Sequence, residues 1–549
     1  MKTSINSRYN SERLKEIIST LAKYDIVDWL KYFDNEKIKK YLKTDSGKDV
    51  LHLPKPVRIR MALNELGTTF IKFGQILSTR SDIVGEEVAQ ELSKLQSATK
   101  ADGIAKVRAQ IKKEFGIKSI NDLFQEFSVK PIASASIAQV HKATLLSGEE
   151  VVVKVMHPNI EDRINEDLEI LLKLASTAEK HGGHLKLMHP LQLAKQFKQT
   201  MLDELDFVKE FQNIEKFTNN FENDDRVVFP IPFREYSGKT VLTMTFLEGT
   251  SLDKVNTLDW DQESKSTFTE EGADVFMEMM FRDKFYHADP HPGNLLVQED
   301  GALGVIDCGM VHKLDAKTNA IFEELIIGVA QKNAEHIKNT IFNMFTLPKG
   351  VDYDTLTYQI DEFIDKYLGV PLNEFDMSSA IKEGTSIIQE HHIFIPVNMS
   401  SLMRVVTLLE GSSRLLNPDF NIAILFEKYQ YKILERRLSP KTFVKKMIKN
   451  VHQWEHIAES FPNALDKLIR KANTDNFNIS LDHKNLEKSI NRIVMGLITS
   501  AIFLGSAMLW SFKVPPVFNG YSIFGIIGVV IASILSYRLI KQINKSEKE

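Results

Sequence analysis

Apolar residues near the N-terminus recur with the period of an α-helix. Leu14, Ile17 and Leu21 fall on one helix face within a charged, amphipathic stretch that covers residues 1–60. We expect this N-terminal helical extension to pack on the core, and a position on a membrane surface is the alternative. Residues 61–130 continue the helical pattern and predict a second helical segment ahead of the strands.

Strand patterns follow between residues 131 and 249. The β-branched run at residues 151–155 comes after a polar turn and predicts the second arm of a β-hairpin. Further strand patterns lie between residues 225 and 247, whereas residues 250–470 are mostly of helical period. The chain is therefore predicted to have an α+β fold.

The C-terminal part has a third pattern. Residues 493–512 are twenty positions without a charged side chain, enough for a helix that crosses about 30 Å of hydrocarbon. A second uncharged run follows a turn at residues 513–520 and is predicted to be a helix at about residues 521–540. Together they predict a transmembrane hairpin at residues 493–540, and a pair of buried helices in a soluble protein is the alternative.

Basic side chains flank this hairpin at both ends, whereas its turn carries only Lys513. By the positive-inside rule, we expect a protein of the cytoplasmic membrane with both ends and the preceding domain in the cytoplasm. Small residues four positions apart, such as Gly496 and Ser500, would permit close helix packing and a homodimer through the hairpin.

Composition and charge narrow the class of protein. The 549 residues exceed one ordinary core, and the formal net charge of −4 gives no sign of a nucleic-acid binder. The single cysteine, Cys308, excludes an internal disulfide framework and fits a reducing compartment. Residues 1–24 lack the apolar core of a secretory signal.

Asp289, Asn294 and Asp307 have the spacing of a phosphoryl-transfer site. In protein kinases a catalytic-loop Asp receives the hydroxyl proton, an Asn five residues later helps to hold Mg²⁺, and a later Asp binds the other ion. Residues 295–306 predict a short hairpin whose two ends face one cleft. The alternatives are a polar loop capped by Asn and Asp, and a His-x-Asp-x-His zinc cluster, although zinc usually draws further His or Cys ligands.

A kinase site also needs a lysine on a strand of the N-terminal lobe, and Lys154 lies in the predicted β-hairpin. An ordinary surface lysine is the alternative. Residues 203–210 predict a helical segment that carries Glu204, Asp206 and Glu210. Either Glu204 or Glu210 can pair with Lys154, and spacing does not decide between them.

The glycine-rich phosphate loop of kinases is replaced by small residues. They are Ala133, Ser134, Ala135 and Ser136, followed by Ile137. Small side chains let backbone amides approach phosphate, although alanine gives up the positive φ angles of glycine. A packed turn without a ligand is the alternative. Glu248 lies in the segment predicted to be the hinge at which adenine docks.

These motifs resemble the UbiB family of atypical protein-kinase-like proteins, which is associated with isoprenoid quinone biosynthesis. The resemblance covers roughly residues 60–420. Its motifs are an alanine-rich loop at residues 133–136, Lys-x-Gly-Gln at residues 72–75, Glu-x-Asp at residues 204–206, a helix glutamate at Glu210, and the catalytic and metal residues Asp289, Asn294 and Asp307. Ser134 and Cys308 depart from the family pattern, which has an alanine and an aromatic residue there.

The resemblance implies a protein-kinase-like two-lobe fold with ATP and Mg²⁺ as cofactors. It implies that Lys154 pairs with Glu210, so that Glu204 and Asp206 engage Lys72. A regulatory helix carrying Lys72, Gly74 and Gln75 would then cover the site of a peptide substrate. Independently, a glycine inside a helix costs about 1 kcal/mol relative to alanine, so Gly74 indicates close packing or a functional reason.

We therefore expect a membrane-anchored atypical kinase-like ATPase or phosphotransferase that supports ubiquinone or menaquinone biosynthesis and acts on or near lipid precursors. The phosphoryl acceptor is water, a small lipid or another protein. The alternative is an ATP-binding pseudokinase scaffold that organises quinone-biosynthesis enzymes at the membrane. Retention of both Asp289 and Asp307 favours the enzyme, because a scaffold has no chemical need for both.

Overall fold

This computed structural model describes residues 3–26, 50, 52–95, 101–181, 189–257, 260–345, 347, 350–371, 374–439, 486–512, 514–518 and 521–546. Each predicted segment lies partly outside these residues: the N-terminal extension at 27–49, the second helical segment at 96–100, the strand-rich segment at 182–188, the helical region at 440–470 and the C-terminal turn at 513, 519 and 520. The chain divides into two compact units, Met1–Ser439 and Pro440–Glu549.

Helices form the N-terminal part of the first unit, as the sequence predicts. Their bounds are α1 (Thr3–Lys23), α2 (Lys55–Leu66), α3 (Thr68–Ser78), α4 (Ser81–Val84), α5 (Glu86–Leu92) and α6 (Ile104–Phe115). Helix α1 buries Ile17 and Ile18. Its Arg13 donates at 2.7 Å to Asp167 of a later helix, α7 (Ile160–His181), and at 2.7 Å to the Leu66 carbonyl. The N-terminal helix is therefore packed on the core.

An antiparallel sheet forms the strand-rich lobe. Its strands are β1 (Phe124–Phe127), β2 (Ala133–Ser134), β3 (Ala138–Leu145), β4 (Glu150–Met156) and β6 (Val241–Thr245). Between β4 and β6 the chain also forms helices α8 (Pro190–Glu204) and α9 (Phe207–Asn220) and the short strand β5 (Val227–Val228). The strand order is β1-β3-β4-β6, with β2 paired to β3. The predicted hairpin of β3 and β4 is confirmed.

Strand β1 corrects one expectation, because it lies in the segment predicted to be helical. Phe124 is buried and pairs with Leu145 of β3. Pairing with a distant strand therefore decides the conformation of these four residues, and such pairing leaves no local signal.

The rest of the first unit is mainly helical. Its elements are β7 (Thr250–Ser251), α10 (Gln262–Phe281), β8 (Phe285–His287), β9 (Leu295–Val297), β10 (Leu303–Val305), β11 (Val311–Lys313), α11 (Ala316–Ala330), α12 (Ala334–Met344), α13 (Tyr353–Leu368), α14 (Met377–Glu390), α15 (Val397–Arg414) and α16 (Ala423–Leu438). Strands β9 and β10 form the predicted hairpin in a sheet of order β5-β10-β9-β7, and β8 pairs with β11. A strand-rich lobe and a helical lobe are thus both present.

The second unit contains helices α17 (Leu486–Ser511) and α18 (Ile523–Ser546), joined by the paired strands β12 (Val517–Phe518) and β13 (Tyr521–Ser522). Within α17, Val494–Ser511 is long and apolar enough to cross a membrane. The apolar part of α18, Ile523–Leu539, is shorter, because β13 occupies the two residues with which the helix was expected to begin. Among the residues that the structure describes there is thus one candidate span, and the two-helix membrane hairpin stays a prediction.

Gly74 lies in α3 at a close contact with neighbouring helices. A Cβ atom at this position would lie 2.9 Å from Leu63 Cδ1 on α2 and would overlap Leu95 Cδ1. Gly74 itself is buried. Of the two reasons that the sequence allows for a glycine here, the structure shows close packing.

We expect Gly74→Ala to lower the free energy of unfolding by about 1–3 kcal/mol, because overpacking outweighs the gain in helix propensity. Gly411→Ala in α15 is the matched control, since an added Cβ there has no described heavy atom within 4 Å. That variant should gain up to about 1 kcal/mol. Thermal unfolding of the full chain compares the two, and equal stabilities would contradict the packing role of Gly74.

Candidate functional site

Most residues of the predicted motifs meet in one cleft of the first unit, with a volume of about 1290 Å³. The predicted residues that line it are Lys72, Gln75, Ala133, Ala135, Ser136, Ile137, Lys154, Glu204, Glu210, Asp289, Asn294 and Asp307. Four others, Gly74, Ser134, Asp206 and Glu248, do not line it. Residues that are far apart in the sequence therefore share one space.

Lys154 and Glu210 form a buried ion pair in this cleft. Lys154 lies on the central strand β4, where its neighbour Val153 is fully buried on one face of the sheet. Alternation along the strand directs Lys154 to the opposite face, which borders the cleft. Its Nζ donates to both carboxylate oxygens of Glu210, at 2.8 and 2.9 Å. Of the two glutamates that spacing left open, the partner of Lys154 is Glu210.

The charges in the cleft shift one another's pKa values. Burial alone would lower the pKa of Lys154, but the carboxylates of Asp307, at 3.6 Å, and of Glu210 raise it above its usual range. Burial raises the pKa of Glu210 to about 7, although the Lys154 ammonium opposes this rise. Desolvation acts on Asp307 too, but Lys154 and the Gly309 N–H hold its pKa well below the usual range. The cleft therefore presents a cation beside a carboxylate whose charged form is favoured.

Asn294 and Asp307 lie at the two ends of the β9–β10 hairpin, as predicted. The Ile306 N–H donates to the Asn294 carbonyl at 3.1 Å and holds the two ends together. The Asn294 side chain donates to the Asp289 carbonyl at 3.2 Å, so its side-chain oxygen is the atom left for a cation. The Asp307 side chain is 44% exposed to the cleft. Two hard oxygen donors fit Mg²⁺, which takes its remaining ligands from phosphate and water.

The zinc alternative at His287, Asp289 and His291 finds no support. Throughout the described ranges, no three His, Cys, Asp or Glu side chains form a group that would hold a metal ion. Zinc sites in proteins usually have three or four such ligands. The donor set of the cleft therefore suits a hard cation with few protein ligands.

Two side chains hold Asp289 in place: Arg404, which sequence reasoning missed, and His287, for which it gave only a role in a zinc cluster. Arg404, on α15, donates from Nη2 to Asp289 Oδ1 at 2.8 Å. His287 accepts the Asp289 N–H at Nδ1, at 3.1 Å, so its proton is assigned to Nε2, which donates to the Asp307 carbonyl. Burial lowers the pKa of His287, so the ring is neutral. His287 thus ties the Asp289 segment to the Asp307 segment.

The predicted regulatory residues have two different roles in the structure. Lys72 donates to Glu204 at 3.0 Å, and both line the cleft. The expectation that Asp206 also engages Lys72 is corrected, because Asp206 caps α9 by accepting the Val208 N–H at 3.1 Å. The helix predicted across residues 203–210 is accordingly broken at Leu205 and Asp206, where an N-cap aspartate starts a new helix.

Gln75 is the other predicted member of this regulatory helix. Its side-chain amide donates to the Leu95 carbonyl at 3.0 Å, and the residue also lines the cleft. Helix α3 therefore forms one wall of the space that contains Lys154 and Asp307. A peptide that entered from this side would have to displace the helix.

The alanine-rich loop forms a tight turn between β2 and β3. The Ala135 N–H donates to the Ala138 carbonyl at 2.8 Å, and none of the residues in this loop has a positive φ angle. Ser136 and Ile137 line the cleft, and their backbone N–H groups have no acceptor in the described part of the chain. Two free amides at a turn suit a phosphate oxygen.

Ser134 and Glu248, which are predicted to bind nucleotide, are not among the residues that line the cleft. Ser134 follows Ala133 on β2, and alternation turns its side chain away from the cleft that Ala133 lines. The Glu248 side chain is exposed, whereas its neighbours Leu247 and Gly249 line the cleft. A hinge contact at this point would therefore use the backbone.

Comparison with known proteins gives the family. Residues 94–341 match the ABC1 atypical kinase-like domain, residues 360–421 the UbiB helical domain, and residues 479–545 the ABC1/UbiB kinase-like C-terminal domain. The chain belongs to the UbiB family. Proteins named probable protein kinase UbiB from Pseudomonas fluorescens and Pseudomonas aeruginosa are 29% identical over 422 residues, which are 76% of this chain and 79% of each relative.

The UbiB assignment extends further than the sequence motifs indicated. The resemblance was expected to end near residue 420, but the match at residues 479–545 includes most of α17 and α18. A solved structure of Rv3197 with erythromycin, from Mycobacterium tuberculosis, is similar over 68% of this chain and 88% of that chain, with a TM-score of 0.46 and 21% identity. The match to the family's C-terminal domain shows that residues 479–545 of the second unit belong to a UbiB-family domain as well.

Cys308 is the main departure from the UbiB motifs. Its side chain is fully buried, and its carbonyl accepts a hydrogen bond from Asn213 Nδ2 at 3.0 Å. Burial raises the pKa of the thiol well above its usual value. Cys308 thus fills the core beside Asp307 as a small apolar group and not as a reactive thiolate.

Proposed function

We propose that this UbiB-family chain is a membrane-anchored, ATP-dependent kinase-like enzyme that supports isoprenoid quinone biosynthesis. The observation that carries the proposal is the Lys154–Glu210 pair, which lies 3.6 Å from Asp307 in the cleft that Asn294 and Asp289 also line. Kinases use this set of groups for phosphoryl transfer from ATP. The acceptor in this proposal is water or a lipid precursor of ubiquinone or menaquinone.

Nucleotide would be held by charged and neutral donors together. Lys154, oriented by Glu210, binds phosphate oxygens, and the amides of Ser136 and Ile137 add two neutral donors. Mg²⁺ would neutralise charge on the transferred phosphoryl group. Asn294 and Asp307 would hold that ion.

Asp289 would act on the acceptor. Its carboxylate is oriented by Arg404 at 2.8 Å, and its backbone N–H is fixed by His287. A positioned carboxylate can orient a hydroxyl group or water and take its proton as the new bond forms. Helix α3, with Lys72 and Gln75, forms a wall of the same cleft, which favours a small acceptor over a folded protein.

The apolar surface of α17 supports the membrane part of the proposal. Leu497, Leu504 and Met508 are 68%, 64% and 63% exposed. A helix that presents such a surface over Val494–Ser511 is stabilised by hydrocarbon and not by water. Helix α18 would complete the hairpin and keep both ends, with the first unit, in the cytoplasm. Quinone-biosynthesis enzymes and a second copy of the hairpin are the proposed protein partners.

A scaffold without turnover is the second candidate, and the Arg404–Asp289 ion pair favours it. Arg404 occupies Oδ1 of Asp289, one of the two oxygens that would accept the proton of an acceptor. On this view the chain binds ATP and organises biosynthetic enzymes at the membrane.

Asp289→Asn separates the two candidates. For an enzyme, we expect Mg²⁺-dependent phosphate release by the full-length protein on anionic liposomes to fall at least about tenfold, because the proton acceptor is lost. ATP affinity should survive, since Asp289 lies on the acceptor side. Binding of ATP by the wild type without phosphate release, with or without liposomes, would support the scaffold and contradict the enzyme.

Arg404→Ala tests the positioning role of the guanidinium. We expect turnover to fall by about 10- to 100-fold, because a misplaced catalytic group loses its alignment with the acceptor. The KM for ATP should change little, since Arg404 contacts Asp289 and not the phosphate-binding residues. Steady-state kinetics measure both constants, and Arg404→Lys, which keeps a cation, should recover part of the rate. A rise in KM with unchanged turnover would contradict this role.

A further inference from the structure

A second, apolar cavity lies in the helical lobe, among helices α11 to α16, with a volume of about 160 Å³. Residues such as Phe363, Ile364 and Val406 line it, and the polar side chains of its wall are Thr385 and Tyr367. The Tyr367 hydroxyl is already engaged, since it donates to Glu383 at 2.8 Å. A cavity with such walls excludes water and favours an apolar guest.

The apolar cavity adjoins the cleft through shared wall residues. Ile381 and Thr385 of α14 and Met403 of α15 line both spaces. Met403 directly precedes Arg404, the ion-pair partner of Asp289. The cleft beside Asp289 and the apolar cavity are therefore adjacent and share a wall formed by α14 and α15.

The size of the cavity limits what enters it. An engineered cavity of about 150 Å³ in another protein binds benzene, so the present one takes about five or six carbon atoms. Several of its wall residues, among them Leu325 and Ile341, are partly exposed, so the space is open to a guest from outside.

We infer that this cavity binds the first segment of the apolar tail of a lipid whose polar head group lies at Asp289. The inference rests on the proposed function, because it takes the acceptor to be a lipid. It assigns substrate choice to α13, α14 and α15, which lie outside the kinase-like motifs. The ligand that this cavity would bind is a hydrocarbon chain, and either an isoprenyl lipid or a straight-chain acyl lipid could supply it.

Photolabelling tests the inference on the full-length protein in phosphatidylcholine nanodiscs. The probe is farnesol with a diazirine on its chain, and labelled peptides are mapped by mass spectrometry. We expect labels in α13, α14 and α15 that excess unlabelled farnesol removes. Competition by dodecanol to the same extent would assign the site to hydrocarbon chains in general. Labels confined to residues 486–546 would overturn the inference.

Gly384→Leu supplies a variant that fills the cavity. A Cβ atom at Gly384 lies 3.4 Å from Phe363 Cζ, so a longer side chain extends into the space that Phe363 lines. We expect labelling of the helical lobe to fall about tenfold, the usual effect of a few methylene groups in an apolar pocket. Gly384→Ala is the matched control, because it gains the same helix propensity and leaves most of the cavity free.

Unchanged labelling in Gly384→Leu would overturn the inference. If that variant does not fold, Val329→Phe fills the cavity from α11, and the wild-type map decides the question without any variant. ATP turnover is not part of this measurement. Labelled α13–α15 in a protein without turnover would contradict the proposed function alone, whereas turnover without such labels would contradict the tail site alone.

Discussion

Asp307→Asn is expected to weaken Mg²⁺-dependent ATP binding by about 100-fold or more. Asp307 provides the charged oxygen of the proposed Mg²⁺ site, whereas Asn294 provides a neutral one. Asparagine keeps the shape of the side chain and loses its charge, and Mg²⁺ depends strongly on carboxylate ligands. Even groups that only support metal ligands change metal affinity by about 10- to 100-fold, so a direct ligand should have at least that effect.

Asp300→Asn is the matched control for this prediction. Asp300 lies in the turn of the same β9–β10 hairpin, is exposed, and accepts the Ala302 N–H at 3.0 Å. Titration of each variant with a fluorescent ATP analogue at several Mg²⁺ concentrations gives the apparent affinity for the ion. Equal affinities in Asp307→Asn and Asp300→Asn would contradict the metal site.

Lys154→Met is expected to lower the free energy of unfolding by about 3–5 kcal/mol, since it leaves a buried charge without its partner. Methionine has a similar length and no charge, and the Glu210 side chain is only 5% exposed. Turnover should fall by about 100- to 1000-fold as well, because a cation at the phosphates is removed. Chemical denaturation of the full chain and phosphate release measure the two effects.

The loss of stability in Lys154→Met should be larger at about pH 8 than at about pH 6. Burial raises the pKa of Glu210 to about 7 in the wild type, and removal of Lys154, which lowers that pKa, raises it further. A carboxyl group whose pKa is higher in the folded state binds its proton more tightly there. Protonation at low pH therefore restores stability, and rising pH removes it.

Lys142→Met provides the comparison on the adjacent strand β3. Lys142 pairs with Glu150 at 2.9 Å, and both side chains are largely exposed. An exposed ion pair of this kind contributes about 0–1 kcal/mol to the free energy of unfolding. Equal destabilisation of Lys142→Met and Lys154→Met would contradict the buried ion pair.

Short motifs in the sequence predicted the residues whose positions depend on local structure. Lys154 is placed by the alternation of its own strand, and Asn294 and Asp307 by the hairpin between them. The sequence did not decide whether Glu204 or Glu210 pairs with Lys154, because the partner of Lys154 lies 56 positions away in the chain. Only the break at Asp206, which starts a new helix, shows which carboxylate can reach the lysine.

Long-range contacts account for what the sequence did not reveal. Arg404 lies 115 positions after Asp289, in an amphipathic helix where nothing local distinguishes it from other arginines. The apolar cavity is built from six helices, each with an ordinary hydrophobic face. The lengths of α17 and α18 were nearly predictable, yet a two-residue strand at the turn shortened the second apolar helix.

Single-turnover release of phosphate from ATP by the purified full-length wild type, in Mg²⁺ and in EDTA, tests the central claim most directly. The cleft is proposed to hold Mg²⁺ with ATP and to transfer the terminal phosphoryl group. The expected result is phosphate release in Mg²⁺ and none in EDTA. ATP that binds in Mg²⁺ and remains intact would contradict the account.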